Sequence, residues 1–117
     1  MEINMKYTDA IARANELRLN TLSDEQKARW VYELECRVAE MEGKEEPEWN
    51  FPCDDELLLP ERHADVYVKY LVAMMDFASG ENEQYANDTV VFEDAFDEAR
   101  TWWIRNNRPV SSGGWKV

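Results

Sequence analysis

Residues 61–79 constrain this chain more than any other stretch. Val66, Tyr67, Val68, Tyr70, Leu71, Val72, Ala73, Met74, Met75, Phe77 and Ala78 follow one another with only Lys69 and Asp76 between them. Pro60 opens the stretch and Gly80 closes it, so its limits read as those of one helix. A helix wet on one side carries an apolar stripe, and this one is apolar almost all round. It must be surrounded, by the rest of its own chain or by neighbouring chains. In 117 residues, a length typical of one domain, that demand governs the other elements.

Three more helices are predicted. The first spans residues 8–19, with Thr8 as N-cap, Asp9 in the first turn and a thin stripe of Ile11, Ala14 or Asn15, and Leu17. Asn20, Thr21 and Leu22 connect it to the second, residues 24–42. Ser23 followed by Gln26 is a capping box at its start. Trp30, Val31, Leu34, Val38 and Met41 form its apolar face, and Glu25, Lys27, Arg29, Glu33, Glu35 and Arg37 occupy the remainder. Gly43 suits a left-handed stop. The last helix spans residues 83–106, opened by Asn82. Its inner line is Tyr85, Thr89, Phe92, Phe96, Ala99 and Trp103, and Ala95 and Trp102 make a second, narrower line that suggests another contact surface. The tight turn at Gly80 sets Tyr70, Leu71 and Met74 against Phe92 and Phe96.

Residues 44–60 cannot be helical throughout, because Pro47, Pro52 and Pro60 interrupt them. The alternation in Glu48-Trp49-Asn50-Phe51 and the run Leu57-Leu58-Leu59 suggest an ordered loop with room for a short strand or hairpin. Either its aromatic and leucine side chains cover the core, or part of the loop reaches a partner. The expected fold is therefore all-α: a four-helix domain of two helical hairpins, first with second and third with fourth, joined by this loop. Residues 1–109 form the single domain. Residues 110–117, with Ser111-Ser112-Gly113-Gly114 ahead of Trp115, are expected to be a flexible basic tail.

The formal net charge is −12, which argues against a broad basic surface for nucleic acid or an anionic membrane. The charge is uneven. All 25 acidic residues precede Arg100, while Arg100, Arg105, Arg108 and Lys116 follow with no acid among them. This basic end either complements the dipole of the last helix or docks on an acidic partner. On the docking reading, residues 105–117 are mobile until bound. No secretory leader and no apolar run of membrane-spanning length are read in the sequence. Cys36 and Cys53, outside any CxxC arrangement, read as reduced and inert.

No reactive constellation is evident. His63 is the only histidine; with Glu61 and Asp65 it makes a string too weak for a metal site and reads as a solvated first-turn residue. There is no GxSxG, P-loop, GxGxxG or HExxH. Asp54-Asp55-Glu56 lacks the ligand alternation and central Gly of a calcium loop and reads as a solvated acidic turn. Asp76, within an apolar helix, needs a partner for its carboxylate. No catalytic residue, metal ligand or cofactor is assigned, and an enzyme is not expected.

One set of residues, in order along most of the chain, carries a resemblance. It comprises Asn15-Glu16-Leu17-Arg18 with Asn20, Leu22 to Lys27 with Trp30, Glu33 and Leu34, and Glu56 to Pro60. It continues with Tyr67, Tyr70, Leu71, Ala73 and Asp76, Gly80-Glu81, Tyr85 with Asn87, and Phe92 with Ala95. Trp102 or Trp103, Arg105 and Arg108-Pro109 complete it. In these the chain resembles the small adaptor, or head–tail connector, proteins of tailed bacteriophages and prophages. The resemblance implies a helical virion protein, present in the host cytoplasm during assembly, that forms a ring beneath the portal at the DNA exit channel. Its implied partners are the portal protein, neighbouring copies of itself and other neck or tail proteins, with no sequence-specific nucleic-acid binding and no membrane. An acidic lumen would let DNA pass without sticking. The candidate interface residues are Trp49, Phe51, Leu57, Leu58, Leu59, Trp102, Arg105, Arg108, Trp115 and Lys116. The alternative from composition alone is a soluble acidic binding module, such as a DNA-mimicking inhibitor of a nucleic-acid enzyme.

Overall fold

The computed structural model describes residues 4–107. It is all-α, with helices α1 (Tyr7–Leu17), α2 (Asp24–Glu42), α3 (Asp65–Ala78) and α4 (Asn82–Asn106). A single 3-10 turn, Glu61–His63, precedes α3. The expected third helix is thus broken near its start: Pro60 fixes an extended entry, and the chain makes one tight turn before the α-helix begins. The expected tail, residues 110–117, and with it Arg108, Trp115 and Lys116, lies outside the described residues.

α3 is the centre of the molecule and packs on α1, α2 and α4. The demand of its apolar sequence is met within the chain: Val66, Tyr67, Val68, Leu71, Val72, Ala73 and Met75 are all buried. α4 packs chiefly on α3, and α2 reaches α4 through Arg37, whose guanidinium lies over the Phe92 and Phe96 rings. The two expected pairs, α1 with α2 and α3 with α4, are in contact, and α1 packs still more on α3, which joins the pairs into one core. The α3–α4 pairing follows expectation. Gly80 turns the chain at a positive φ of 76°, the rings of Tyr70 and Phe92 lie 5.0 Å apart, and Leu71 is wholly buried. The second line on α4 is used internally: Ala95 packs against the core, and the Trp102 ring lies 5.0 Å from His63. His63 is therefore half-covered rather than a solvated first-turn residue.

Helix ends follow the capping residues with three exceptions. Ser23 accepts from the Gln26 N–H at 3.1 Å, and Gly43 ends α2 in the left-handed region at φ 71°. α1, however, starts one residue early with Lys6 as N-cap. Thr8, the expected cap, instead donates its hydroxyl to Asp54 Oδ1 at 2.7 Å. α1 also ends two residues early, and Leu17, expected in its stripe, is exposed. Glu81, not Asn82, occupies the N-cap of α4 and makes no side-chain cap.

The loop 44–60 is ordered by the N-terminal segment rather than by pairing with itself. Leu57 N–H donates to the Met5 carbonyl at 2.8 Å and Tyr7 N–H to the Asp55 carbonyl at 3.3 Å. Lys6 and Glu56 form one isolated antiparallel bridge, and Asn4 Nδ2 reaches the Leu57 carbonyl at 2.9 Å. Among the described residues no strand or hairpin forms. The acidic turn is tethered as well: its bonds from Thr8 hold the Asp54 carboxyl below the ordinary range. No helix of the described residues is long and apolar enough to cross a membrane.

Candidate functional site

Two polar clusters, each holding a buried carboxyl, tie the helices together. The first gathers around the α1–α2 connection. Arg18 forks onto Asp76, Nε to Oδ1 at 2.9 Å and Nη2 to Oδ2 at 3.1 Å. The same Nη2 reaches Asp88 Oδ2 on α4 at 3.0 Å. One guanidinium therefore joins the end of α1 to α3 and α4, the bidentate geometry for which Arg is suited. Burial opposes ionisation of Asp76, but the hydrogen bonds from Asp88 and Arg18 outweigh it and hold the carboxyl below its usual value. Burial, together with the bond to Asp76, raises Asp88. Asp76 has the partner its sequence position demanded.

Beside it, Lys27 is buried. Its Nζ donates to Asn15 Oδ1 at 2.9 Å and Asn20 Oδ1 at 3.1 Å. Asn20 also caps the connection, accepting from Leu22 N–H at 3.1 Å and donating to the Arg18 carbonyl at 3.0 Å. Asn15, Arg18, Asn20, Lys27 and Asp76, residues from three separate parts of the resemblance, thus meet in one place.

The second cluster pins the loop. Glu35, 3% exposed on α2, accepts from Tyr67 Oη at 2.5 Å and from Leu58 N–H at 2.7 Å. Tyr67 Oη in turn accepts from Leu59 N–H at 3.2 Å. Burial pushes Glu35 up to about 7, against the hydrogen bonds from Tyr67 and Leu58, which favour the carboxylate. Burial first, then the Glu35 charge, raises Tyr67 and Tyr7 as well.

Lys27 and Glu35 correct the expectation that both belong to the polar remainder of their helix. The signal was in the spacing. Lys27 lies four and seven residues before Val31 and Leu34, and Glu35 four residues after Val31, so both fall on the apolar line.

The candidate interface residues separate into groups. Leu57 and Leu59 are 1% and 0% exposed and belong to the chain's own core, held inward by their backbone bonds to Met5 and Tyr67, so they offer no outer surface. Leu58 is half-buried beside Glu35. Trp49 is half-buried, 5.3 Å from the Tyr32 ring, with the Arg29 guanidinium 5.1 Å above it. Phe51 stacks on Trp49 at 6.4 Å and is 43% exposed. Trp102 covers His63. Arg105 is exposed in the last turn of α4, and residues 105 and 106 are helical, where a mobile segment was expected to begin. The structure does not gather these residues into one patch.

The sequence reading missed other exposed apolar side chains. Leu17 and Leu19, 63% and 99% exposed, flank Arg18. Phe77, also exposed, adjoins its partner Asp76. Leu19 edges a depression of about 260 Å³ with Ser79, Glu81 and Gln84. Val90 and Ile104 are exposed on the outer side of α4. Cys36 and Cys53 are free and half-buried. Compared with family models, curated proteins and solved structures, the chain matches none.

Proposed function

We propose that the protein is a structural connector subunit, an adaptor that assembles as a ring beneath a phage portal at the DNA exit channel. One observation carries the reading: exposed apolar side chains occupy two separate faces. Leu17 and Leu19 flank Arg18 and Phe77 adjoins its partner Asp76, while Val90 and Ile104 are exposed on α4. A subunit that touches a different neighbour on each side needs two such faces, the requirement of a head-to-tail ring. The buried ionisable groups Lys27, Glu35 and Asp76 are consumed in joining elements, a structural use rather than a catalytic one. The convergence of Asn15, Arg18, Asn20, Lys27 and Asp76 gives the resemblance a physical basis, since those residues set how three helices meet. The exposed acids Glu93, Asp94, Asp97 and Glu98 share the surface of α4 with Val90 before them and Thr101 and Ile104 after them, a mixture that favours a contact surface over a phosphate-like array.

The reading is tested by native mass spectrometry of the chain with a portal ring. The expected result is a complex holding many copies of the chain per ring. A folded chain that never associates, at low or high salt, would remove the proposal.

A further inference from the structure

Between α1 and α2 lies a cleft of about 320 Å³, lined by Thr8, Ile11, Ala12, Ala28, Phe51 and Cys53 among others. Other depressions are lined mainly by charged or polar side chains, such as Arg18, Asp76 and Glu81 in one and Asp94, Asp97, Glu98 and Arg105 in another. This one has Ile11, Ala12, Ala28 and Phe51 in its lining, no basic side chain, and Asp24, whose carboxylate has Lys27 as a distant partner at 3.8 Å. Asp54 adjoins Cys53 and is tied to Thr8 across the same edge.

We propose that this cleft receives residues 108–117 of a second copy of the chain, with the Trp115 indole as the inserted group. The segment is Arg-Pro-Val-Ser-Ser-Gly-Gly-Trp-Lys-Val, with two cations, one large aromatic side chain and no acid. It complements the cleft in both respects, an apolar anchor for the apolar lining and positive charge for the acids. Ser111 to Gly114 lets the anchor turn into its seat without strain. The last described residues before the segment end α4, which packs chiefly on α3, whereas the cleft is built from α1, α2 and the loop. That placement favours the neighbour's cleft over the chain's own. Donor and acceptor are different surfaces, so the contact is heterologous and propagates from copy to copy. The choice of a second copy rests on the ring-subunit reading; the match between segment and cleft does not.

The test uses a fluorescein-labelled peptide of residues 108–117 and the full chain carrying Trp115→Ala, whose cleft is open to the probe. Anisotropy should show saturable binding. It should weaken by about tenfold when the peptide's own Trp is replaced by Ala, and severalfold between about 50 and about 500 mM NaCl. Ala12 is exposed, so Ala12→Phe fills the cleft at little cost to the fold. It should abolish binding, and Phe51→Ala should weaken it. Sedimentation should show the parent chain associating with rising concentration, and neither Trp115→Ala nor Ala12→Phe doing so alone. A mixture of the two should form dimers and nothing larger, because only one contact can be made. No peptide binding, or binding unchanged by both cleft variants, overturns the proposal. A monomeric parent chain that excludes the peptide while the Trp115→Ala chain binds it overturns the assignment to a second copy, because the chain then fills its own cleft. No portal protein is present, so failure here leaves the portal test standing, and the reverse.

Discussion

The polar clusters around Arg18 and Glu35 each hold a buried carboxyl, Asp76 and Glu35, and each joins three parts of the chain, but they stabilise it in opposite ways. Around Arg18 a fixed positive charge meets Asp76 and Asp88, and the hydrogen bonds from Asp88 and then Arg18 hold the Asp76 carboxyl below its usual value against burial. Around Glu35 the donors are neutral, a tyrosine hydroxyl and a backbone N–H. Lys44 is the cation nearest in influence, and it is paired with Glu42 at 3.0 Å. The carboxyl is therefore pushed up to about 7. A buried carboxylate stays charged when a guanidinium is built against it, and drifts toward neutrality when hydrogen bonds alone support it. The first arrangement fixes how helices cross; the second fastens a loop.

The largest expected effect breaks the Arg18 side. Arg18→Met should leave Asp76 buried and facing Asp88 without a cation, at a cost of about 3–5 kcal/mol. Adding Asp76→Asn should recover much of that loss, because the uncompensated charge is gone. Urea denaturation of the two variants checks this. Equal stabilities for parent and Arg18→Met would mean that water reaches the pair and the cluster is no more than a surface bridge.

The two clusters also differ in how far the sequence revealed them. Asp76 stood out because a carboxylate interrupted an apolar run, and its need for a partner was legible; the identity of that partner, 58 residues earlier, was not. Glu35 and Lys27 were hidden because α2 is amphipathic, and a charge beside an apolar stripe looks like one on its wet side. The α3–α4 packing was legible, since ring positions at helical spacing and one glycine turn determine it locally. The loop was legible as ordered but not as a strap. Its partners are Met5 and Tyr7, and pairing between segments about 50 residues apart leaves no periodic signal. The expected interface lost Leu57 and Leu59 for that reason: an apolar run reads the same whether it turns inward or outward.

The Glu35 side should show itself in pH dependence. Its folded value of about 7 lies above the reference value of 4.5, so the folded state binds the proton more tightly than the unfolded one. This group's contribution is full below pH 4.5, declines as pH rises to 7, and is flat above, a change on the order of 3 kcal/mol. Asp76 works in the other direction, losing its stabilisation as pH falls below its ordinary range. Glu35→Gln should resemble the protonated carboxyl, with its amide donating to Tyr67 and its carbonyl accepting from Leu58. It should flatten the profile between pH 4.5 and 7 and raise stability at pH 8. An unaltered profile would show that other carboxyls govern that window.

Lys27 sharpens the comparison from between the two extremes. It is a buried cation that, like Glu35, rests mainly on neutral partners, with Asp24 at 3.8 Å as a distant ion pair. Lys27→Met keeps most of the packed stem and removes the ammonium. Asn15 Oδ1 still accepts from Asn20, and Asn20 Oδ1 from Leu22. The loss should therefore be about 1–2 kcal/mol, well below that of Arg18→Met. Chemical denaturation of both in one buffer makes the comparison direct.

The smallest effect belongs to a second arginine on α1. Arg13 meets Glu61 at 3.2 Å through the same pair of chemical groups as Arg18 and Asp76, but both side chains are about half exposed. Water already solvates each partner, so bringing them together gains little, and holding two long side chains in one geometry costs entropy. Arg13→Ala should cost less than about 1 kcal/mol, and that cost should vanish in high salt as the charges are screened. Arg18→Met should keep more of its penalty under the same conditions, because the Asp76 side chain is only 4% exposed. If salt removed both penalties alike, burial would not distinguish the two pairs. If neither responded, the Arg13 contact would act through its aliphatic stem on α1 rather than through charge.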